Sequence, residues 1–345
     1  MMAWVFGAGI SWGWRGEPSA PLSRLAYLDG NQRGIFSPSA SYPRPRALGS
    51  RTFHLLCDMP QDRPTELLFI YRRTSGQLHA ALNDAQMWRD IPIHHGPDHH
   101  RSGWRYFLRP WGTENRIVVP LRESDTLRLP DRYWGLHPSR QTVETLRDKA
   151  KFAAYAVGAG LGAHVPATFA SPGEASFPCV IKRTNRAGSY GVAVAASSEG
   201  ASAMLRRRPW RGRPVLLQEL IEGEDCVLHG VASAGRIVWH CAYRYALPPD
   251  VRIRTPDNIV GFDRFDADAA ELALFERFLV PLAYDGPFNI DYRRPAGRGP
   301  VIFEINARMG TSLFRPENRA DLGATIRAIA AHARPMQSAG GVASG

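Results

Sequence analysis

The sequence predicts an α+β fold in the broad α/β class, with strands paired in hairpins and a few helices. Three observations carry this. Short apolar runs bounded by turn residues recur from Glu66 onward, the pattern of strands. Longer segments of helical spacing stand between them, at TVETLRDKAKFAAYAVGAG from Thr142 and at Asp268–Leu279. The texture also changes near residue 140: seven of the nine tryptophans and loop-like stretches such as SPSASYPRPRALGS precede it, and a regular succession of elements follows.

Residues 1–140 read as an atypical N-terminal α/β region, with strands at Glu66–Tyr71 and Arg116–Leu121 and a helix near Gly76–Trp88. The opening MMAWVFGAGISWGW has no basic n-region, so a buried strand turning at Gly7 and Gly9 is expected instead of a signal peptide. Residues 141–335 read as a second domain. Its first helix starts at Thr142 as N-cap and stops at Gly158 or Gly160. Strands follow at Val165–Ala170, Pro178–Arg183 and Gly191–Ala195, then a helix at Glu199–Arg207. Further strands are expected at Val215–Leu220, Asp225–Ala232 and Arg236–Tyr245 and, beyond the Asp268–Leu279 helix, at Gly286–Arg293 and Val301–Asn306. The tail from Met336 is expected to be disordered.

No apolar run approaches the roughly 20 residues a membrane-spanning helix needs. The four cysteines, Cys57, Cys179, Cys226 and Cys241, form no CxxC pair, which fits a reducing cytoplasm better than a zinc site or a disulfide framework. A formal net charge of +11 invites a nucleic-acid reading. The basic residues are spread along the chain, however, and the dense run Arg206–Arg213 reads as a solvated loop, so nucleic acid is not the expected partner. The stretch with His94, His95, His99 and His100 has no zinc spacing and reads as a polar loop. Only three of the 43 basic residues are lysines, Lys149, Lys151 and Lys182. A compact, flexible ammonium suits phosphate oxygens where a planar guanidinium fits differently, which sets these three apart in so arginine-rich a chain.

Three segments carry chemistry. In VIFEIN, Glu304 and Asn306 lie two residues apart on a strand and face one side. Asp291 ends FNID one hairpin away, and three such oxygens suit Mg2+; a solvated sheet face would present the same pattern. The following ARMGTSL offers backbone N–H groups and hydroxyls to an anion, with Arg308 placed to stabilise developing negative charge. In PCVIKRTNRAGSYGVAV, Lys182 ends a strand and Gly188, Ser189 and Gly191 make a loop able to close over phosphates, although any hairpin can carry glycines in its turn. No GxxxxGK[ST] P-loop occurs. In VLLQELIEGEDCVLHG, Gln218, Glu219, Leu220 and Ile221 could form a hinge that reads adenine through its backbone, with Asp225 holding the ribose; an ordinary strand–turn–strand has the same text.

In this order and spacing the segments resemble the ATP-grasp superfamily, over roughly half the chain. The resemblance implies two α+β subdomains clasping ATP, with a lid at about 155–220. It makes Lys149 the first basic residue on the nucleotide, with Lys151 behind it, and Lys182 the lysine on the α/β-phosphates. Residues 187–191 become the mobile glycine loop, Gln218 to Ile221 the adenine hinge and Asp225 the ribose acid. Asp291, Glu304 and Asn306 become magnesium ligands, with Arg308 and Ser312 near substrate and phosphate. Gln218 stands where the family often has an acid, and Arg183 where proline is frequent. The first 140 residues also lack the clear αβ alternation with which the family usually begins.

The implied reaction uses ATP and Mg2+ to activate a small-molecule carboxylate as an acyl phosphate and to join it to an amine or another nucleophile. Arg244, Arg252 and Arg254 are the candidates for gripping the carboxylate. The protein would act in the cytoplasm without a membrane, and a homodimer is one assembly open to it. Two other readings stand beside this one: an ATP-grasp phosphotransferase acting on a hydroxyl, and a non-catalytic basic protein binding nucleic acid or another anion with strong salt dependence.

Overall fold

The computed structural model describes residues 63–71, 76–95, 116–127, 129, 132–184 and 191–337. All lie within one compact unit that begins at Cys57. The strand expected at the start of the chain, His99, His100, Gly188 and Ser189 lie outside the described residues.

The first elements are β1 (Glu66–Ile70), α1 (Gly76–Leu82), β2 (Ile93–His94), β3 (Arg116–Pro120), α2 (Glu123–Thr126) and β4 (Arg132–Gly135). The four strands are parallel, in the order β4-β3-β1-β2. Leu67, Leu68 and Phe69, like Ile117, Val118 and Val119, are buried on both faces, which is why these strands are unbroken apolar runs. His94, expected in a polar loop, lies in β2 instead. Its Nε2 sits 2.9 Å from Glu66, which also accepts from Arg116 Nε at 2.9 Å.

The single helix expected from Thr142 is two. Ser139, not Thr142, caps α3 (Arg140–Arg147) by accepting from the Thr142 amide at 3.1 Å. Asp148 is extended, and its carboxylate accepts from the amides of Ala150 at 2.9 Å and Lys151 at 3.1 Å to start α4 (Lys149–Gly158). Lys149 is thereby the first residue of a capped helix. An antiparallel sheet follows, made of β5 (Thr168–Phe169), β6 (Cys179–Arg183), β7 (Val192–Ala195) and, after α5 (Ser198–Leu205), β8 (Val215–Glu219), in the order β5-β8-β6-β7. Cys179, Ile181, Ala195 and Leu217 pack on Ala201 of α5. Strand alternation turns Val180 and Lys182 to the other face.

The largest sheet is antiparallel: β9 (Glu224–Ser233), β10 (Arg236–Ala246), β11 (Gly261–Phe265) and, beyond α6 (Ala269–Leu279), β12 (Gly286–Arg294) and β13 (Val301–Asn306), in the order β11-β10-β9-β12-β13. Its central strand β9 serves two cores. Cys226, Leu228 and Ala232 join Leu146, Phe152 and Phe278 from α3, α4 and α6. Val227 and Val231, of opposite parity, join Leu67 and Ile117 of the first sheet and Leu322, Ile326 and Ile329 of α7 (Arg319–His332). The chain then enters β14 (Arg334–Gln337), antiparallel to β4. Met336 and Gln337, expected in a disordered tail, pair with Tyr133 and Arg132 there. The first sheet thus draws strands from both sides of the boundary expected near residue 140.

Candidate functional site

The face of the large sheet that carries Val227 also carries the polar residues. Register places Tyr245 opposite Asp225 and Asp225 opposite Arg293. One step along, Val227 faces Asp291 and Asp291 faces Glu304; one step further, His229 faces Asn289 and Asn289 faces Asn306. Two rungs of an antiparallel ladder set Asp291 of β12 beside Glu304 and Asn306, which share a face of β13 by their two-residue spacing. Lys182, from the smaller sheet, and Lys149, from the start of α4, line the same cavity as Asp291 and Glu304. So do Gln218, Glu219, Leu220 and Ile221 at the end of β8, with Asp225, Arg252 and Arg254, and with Val180, Pro166 and Phe303 as apolar wall. Lys151 is exposed on α4 and does not line it.

The electrostatics are tightly coupled. Lys149 Nζ lies 2.7 Å from Glu304. Burial raises the pKa of Glu304, but Lys149, assisted by Lys182 and Asn306, outweighs it and holds it down at about 2. Lys182 is 7 % exposed, and burial, with Lys149 beside it, pushes its pKa down to about 8 against the pull of Glu304. Burial likewise raises Asp291, opposed by Arg254. Arg254 pairs with Asp291 and, at 2.9 Å, with Asp225, and stacks 4.0 Å over the Tyr245 ring. Arg293 pins the other side of Asp225 at 3.1 Å and donates to the Ile221 carbonyl.

Around this centre, Asn306 Nδ2 donates to Asp291 at 3.2 Å and lies 3.3 Å from Glu304. Arg308 donates to Asn306 Oδ1 at 3.2 Å. Ser312 is 2.8 Å from His229 Nε2, and Tyr245 also hydrogen bonds to it. His229 is fully buried; burial, with Arg308 and Arg254 nearby, lowers its pKa to about 3 and keeps it neutral. Gln218 is 3 % exposed and donates to Thr168 Oγ1 at 3.0 Å, which leaves its Oε1 buried without a partner among the described residues. Gly191 closes the β6–β7 hairpin, its carbonyl accepting from the Arg183 amide at 3.0 Å. Its φ of +78° suits glycine.

The three candidate arginines separate. Arg254 is central, while Arg252 stands at the rim, 3.3 Å from Glu222. Arg244 is not brought to the site: it pairs with Cys226 in the ladder, so its parity is that of the opposite face, where it meets Glu224 at 2.8 Å. Glu219 lines the cavity, but its carboxylate is turned to Arg298 at 3.0 Å. Sequence reading missed Arg293, Tyr245 and His229. Their signal lies in strand parity, since Arg293 is two residues from Asp291, and His229 and Asp225 share the parity of Val227.

The donor set fits a hard divalent cation. Asp291 and Glu304 stand directly opposite each other, and like charges in that register require a positive charge between or beside them. Two carboxylates leave room for the waters and phosphates that Mg2+ retains, while Asn306 turns its Nδ2 to them and its Oδ1 to Arg308. Among the described residues no cluster of three or more His, Cys, Asp or Glu side chains forms an all-protein metal cage, and no helix is long and apolar enough to cross a membrane.

No family model and no curated protein matches the chain. Solved structures do. The phosphoribosylamine–glycine ligase of Thermotoga maritima aligns at a TM-score of 0.55 and 17% identity, over 74% of this chain and 70% of that one. The ATP-grasp ligase PsnB, solved with a minimal precursor, aligns at 0.53 and 14%, over 77% and 99%. The biotin carboxylase domain of a Hydrogenobacter thermophilus 2-oxoglutarate carboxylase, solved with MgADP and bicarbonate, aligns at 0.52 and 13%, over 80% and 72%. The chain has the ATP-grasp fold.

Proposed function

We propose that the protein is an ATP-dependent ligase that activates a carboxylate as an acyl phosphate and transfers the acyl group to an amine or another nucleophile, releasing ADP and phosphate. One observation carries this: two of the chain's three lysines, Lys149 and Lys182, share a cavity with the opposed carboxylates Asp291 and Glu304 and with the 218–221 segment. A nucleotide laid along that line has its base against Gln218–Ile221, its ribose at Asp225 and its phosphates at the lysines. The unpartnered Gln218 Oε1 is the acceptor an exocyclic amine requires.

Lys182 and Lys149 neutralise phosphate charge. Asp291, Glu304 and Asn306 would hold Mg2+, which would supply charge neutralisation on the transferring phosphoryl group. Arg308 and Ser312 hold the acyl oxygen and the substrate, with Arg254 and Arg252 as the carboxylate grip. The carboxylate oxygen attacks the γ-phosphorus and ADP leaves; the nucleophile then attacks the acyl carbon and phosphate leaves. Positioning and electrostatics are the protein's share of this chemistry.

The test is incubation with Mg-ATP and pools of carboxylates and amines, with hydroxylamine as a trap. ADP, phosphate and a hydroxamate are expected with one pool and not the others. Lys182→Ala and Glu304→Gln are expected to lower turnover on the order of 100-fold, the effect of deleting one charge-stabilising group. Full turnover in both folded variants would overturn the site. A phosphorylated product without hydroxamate would replace the ligase reading with that of a phosphotransferase.

A further inference from the structure

In the described form the candidate metal position is already served by the protein's own cations. Lys149 answers Glu304 at 2.7 Å, and Arg254 answers Asp291. Arg254 is the more unusual of the two, because it reaches in from the segment between β10 and β11. That segment is a built turn: Asn258 accepts from the Thr255 amide at 2.8 Å and donates to the Ile253 carbonyl at 2.9 Å, bracketing Arg254 on both sides. The guanidinium is further held by Asp225 at 2.9 Å and by the Tyr245 ring at 4.0 Å.

We propose that Arg254 is a placeholder cation: it occupies the Asp291 position until nucleotide-bound metal displaces it, so that the site refuses free divalent ions. This rests on the nucleotide reading above. A guanidinium between two carboxylates and a metal on Asp291 exclude each other. A free cation must displace the guanidinium unaided. A cation carried on nucleotide phosphates arrives with the contacts of Lys149 and Lys182 added, and these offset the displacement. Metal and nucleotide are therefore coupled ligands, each strengthening the other. The displaced guanidinium stays tethered near Tyr245, whose hydroxyl bonds Ser312. Loading the metal and freeing an arginine for an anionic substrate thus become one event.

The test titrates Mn2+ into the full chain and follows free Mn2+ by its electron paramagnetic resonance signal, with and without ADP. Wild type is expected to bind Mn2+ weakly alone and tightly with ADP. Arg254→Gln is expected to bind Mn2+ alone about tenfold more tightly than wild type, within the ordinary range of coupling effects. Arg254→Lys, which keeps the charge, should behave as wild type, and adding Asp291→Asn to Arg254→Gln should abolish the gain. If Arg254→Gln does not fold, Asn258→Ala, which removes the two bonds that hold Arg254 inward, carries the same expectation. Free Mn2+ binding no tighter in the folded variant, with wild type still binding Mn2+ and ADP together, overturns the placeholder and leaves the nucleotide site standing. Failure of wild type to bind Mn2+ even with ADP removes the nucleotide reading, and this inference with it.

Discussion

Gln218 shows how much a single side chain settles. It lies on β8 with its amide committed to Thr168, and its carbonyl oxygen is buried without a partner among the described residues. A buried acceptor left alone costs free energy that a ligand donor can return. The amino group of adenine is such a donor, whereas guanine presents an oxygen at the equivalent ring position. Gln218→Leu, close in volume, is expected to weaken ATP binding roughly three- to tenfold, the worth of one neutral hydrogen bond, and to narrow the preference for ATP over GTP. Calorimetric titration with both nucleotides checks this, and unchanged affinities for both would mean that the base is read elsewhere. At this scale the sequence was most informative where parity suffices: Glu304 and Asn306 face one way because they are two apart on a strand. It was least informative for Arg244 and Arg254, two arginines in one polar stretch. Only the pairing of β10 with β9 shows that Arg244 has the parity of the buried Cys226, and only the turn around Asn258 brings Arg254 inward.

Among elements, the turn from Ala307 to Leu313 joins the face of Glu304 and Asn306 to Ser312, and its course depends on Gly310. A Cβ at Gly310 would stand 2.1 Å from His229 Cε1 and 2.6 Å from Nδ1, so the imidazole and this glycine fit only each other. Gly310→Ala is expected to cost about 1–3 kcal/mol, the range of core overpacking. Combining it with His229→Ala, which vacates the space, should give a loss smaller than the sum of the two single losses. Urea unfolding of the four proteins decides it, and strict additivity would show that turn and ring are not in conflict. The bounds of β13 agree with those read from VIFEIN, since an apolar run between turn residues is a local signal. The helix from Thr142 was divided by Asp148, whose carboxylate competes for backbone amides. Leu322, Ile326 and Ile329 carry the helical spacing of α7, but Gly323 falls in its first turns and Asn318 makes no capping bond, so its start has no local mark. The first sheet was the least legible, with strands of two to five residues and an edge supplied by Arg334–Gln337.

On the scale of the whole molecule, the first sheet and the large sheet meet where β4 ends and β12 begins. Gly286, at φ +100°, passes so close that a Cβ would lie 2.6 Å from His137 Cα. His137 is buried at this junction; its Nδ1 lies 3.0 Å from the Pro138 carbonyl, and its Nε2 meets the Tyr133 hydroxyl. The neutral ring satisfies both by donating from Nδ1 and accepting at Nε2. A second proton would remove the acceptor, and burial accordingly lowers the His137 pKa to about 4. His229, in the core shared by the two sheets and α7, is lowered to about 3. Both values lie below the roughly 6.5 of an unfolded histidine, so the unfolded chain takes up these protons first as pH falls. Stability is then full above pH 6.5 and is lost as pH falls below it, by about 2 kcal/mol for each of the two histidines at pH 5. Carboxylates with lowered values, such as Glu304, begin to contribute only below about pH 4.5, where unfolded carboxylates take up protons. The window between pH 6.5 and 5 is therefore where the two histidines weaken the fold. His137→Gln, which keeps a donor and an acceptor but cannot titrate, is expected to remove about 2 kcal/mol of the loss at pH 5 in chemical denaturation. A variant as pH-sensitive as wild type would show that His137 does not hold the two sheets together in its neutral form.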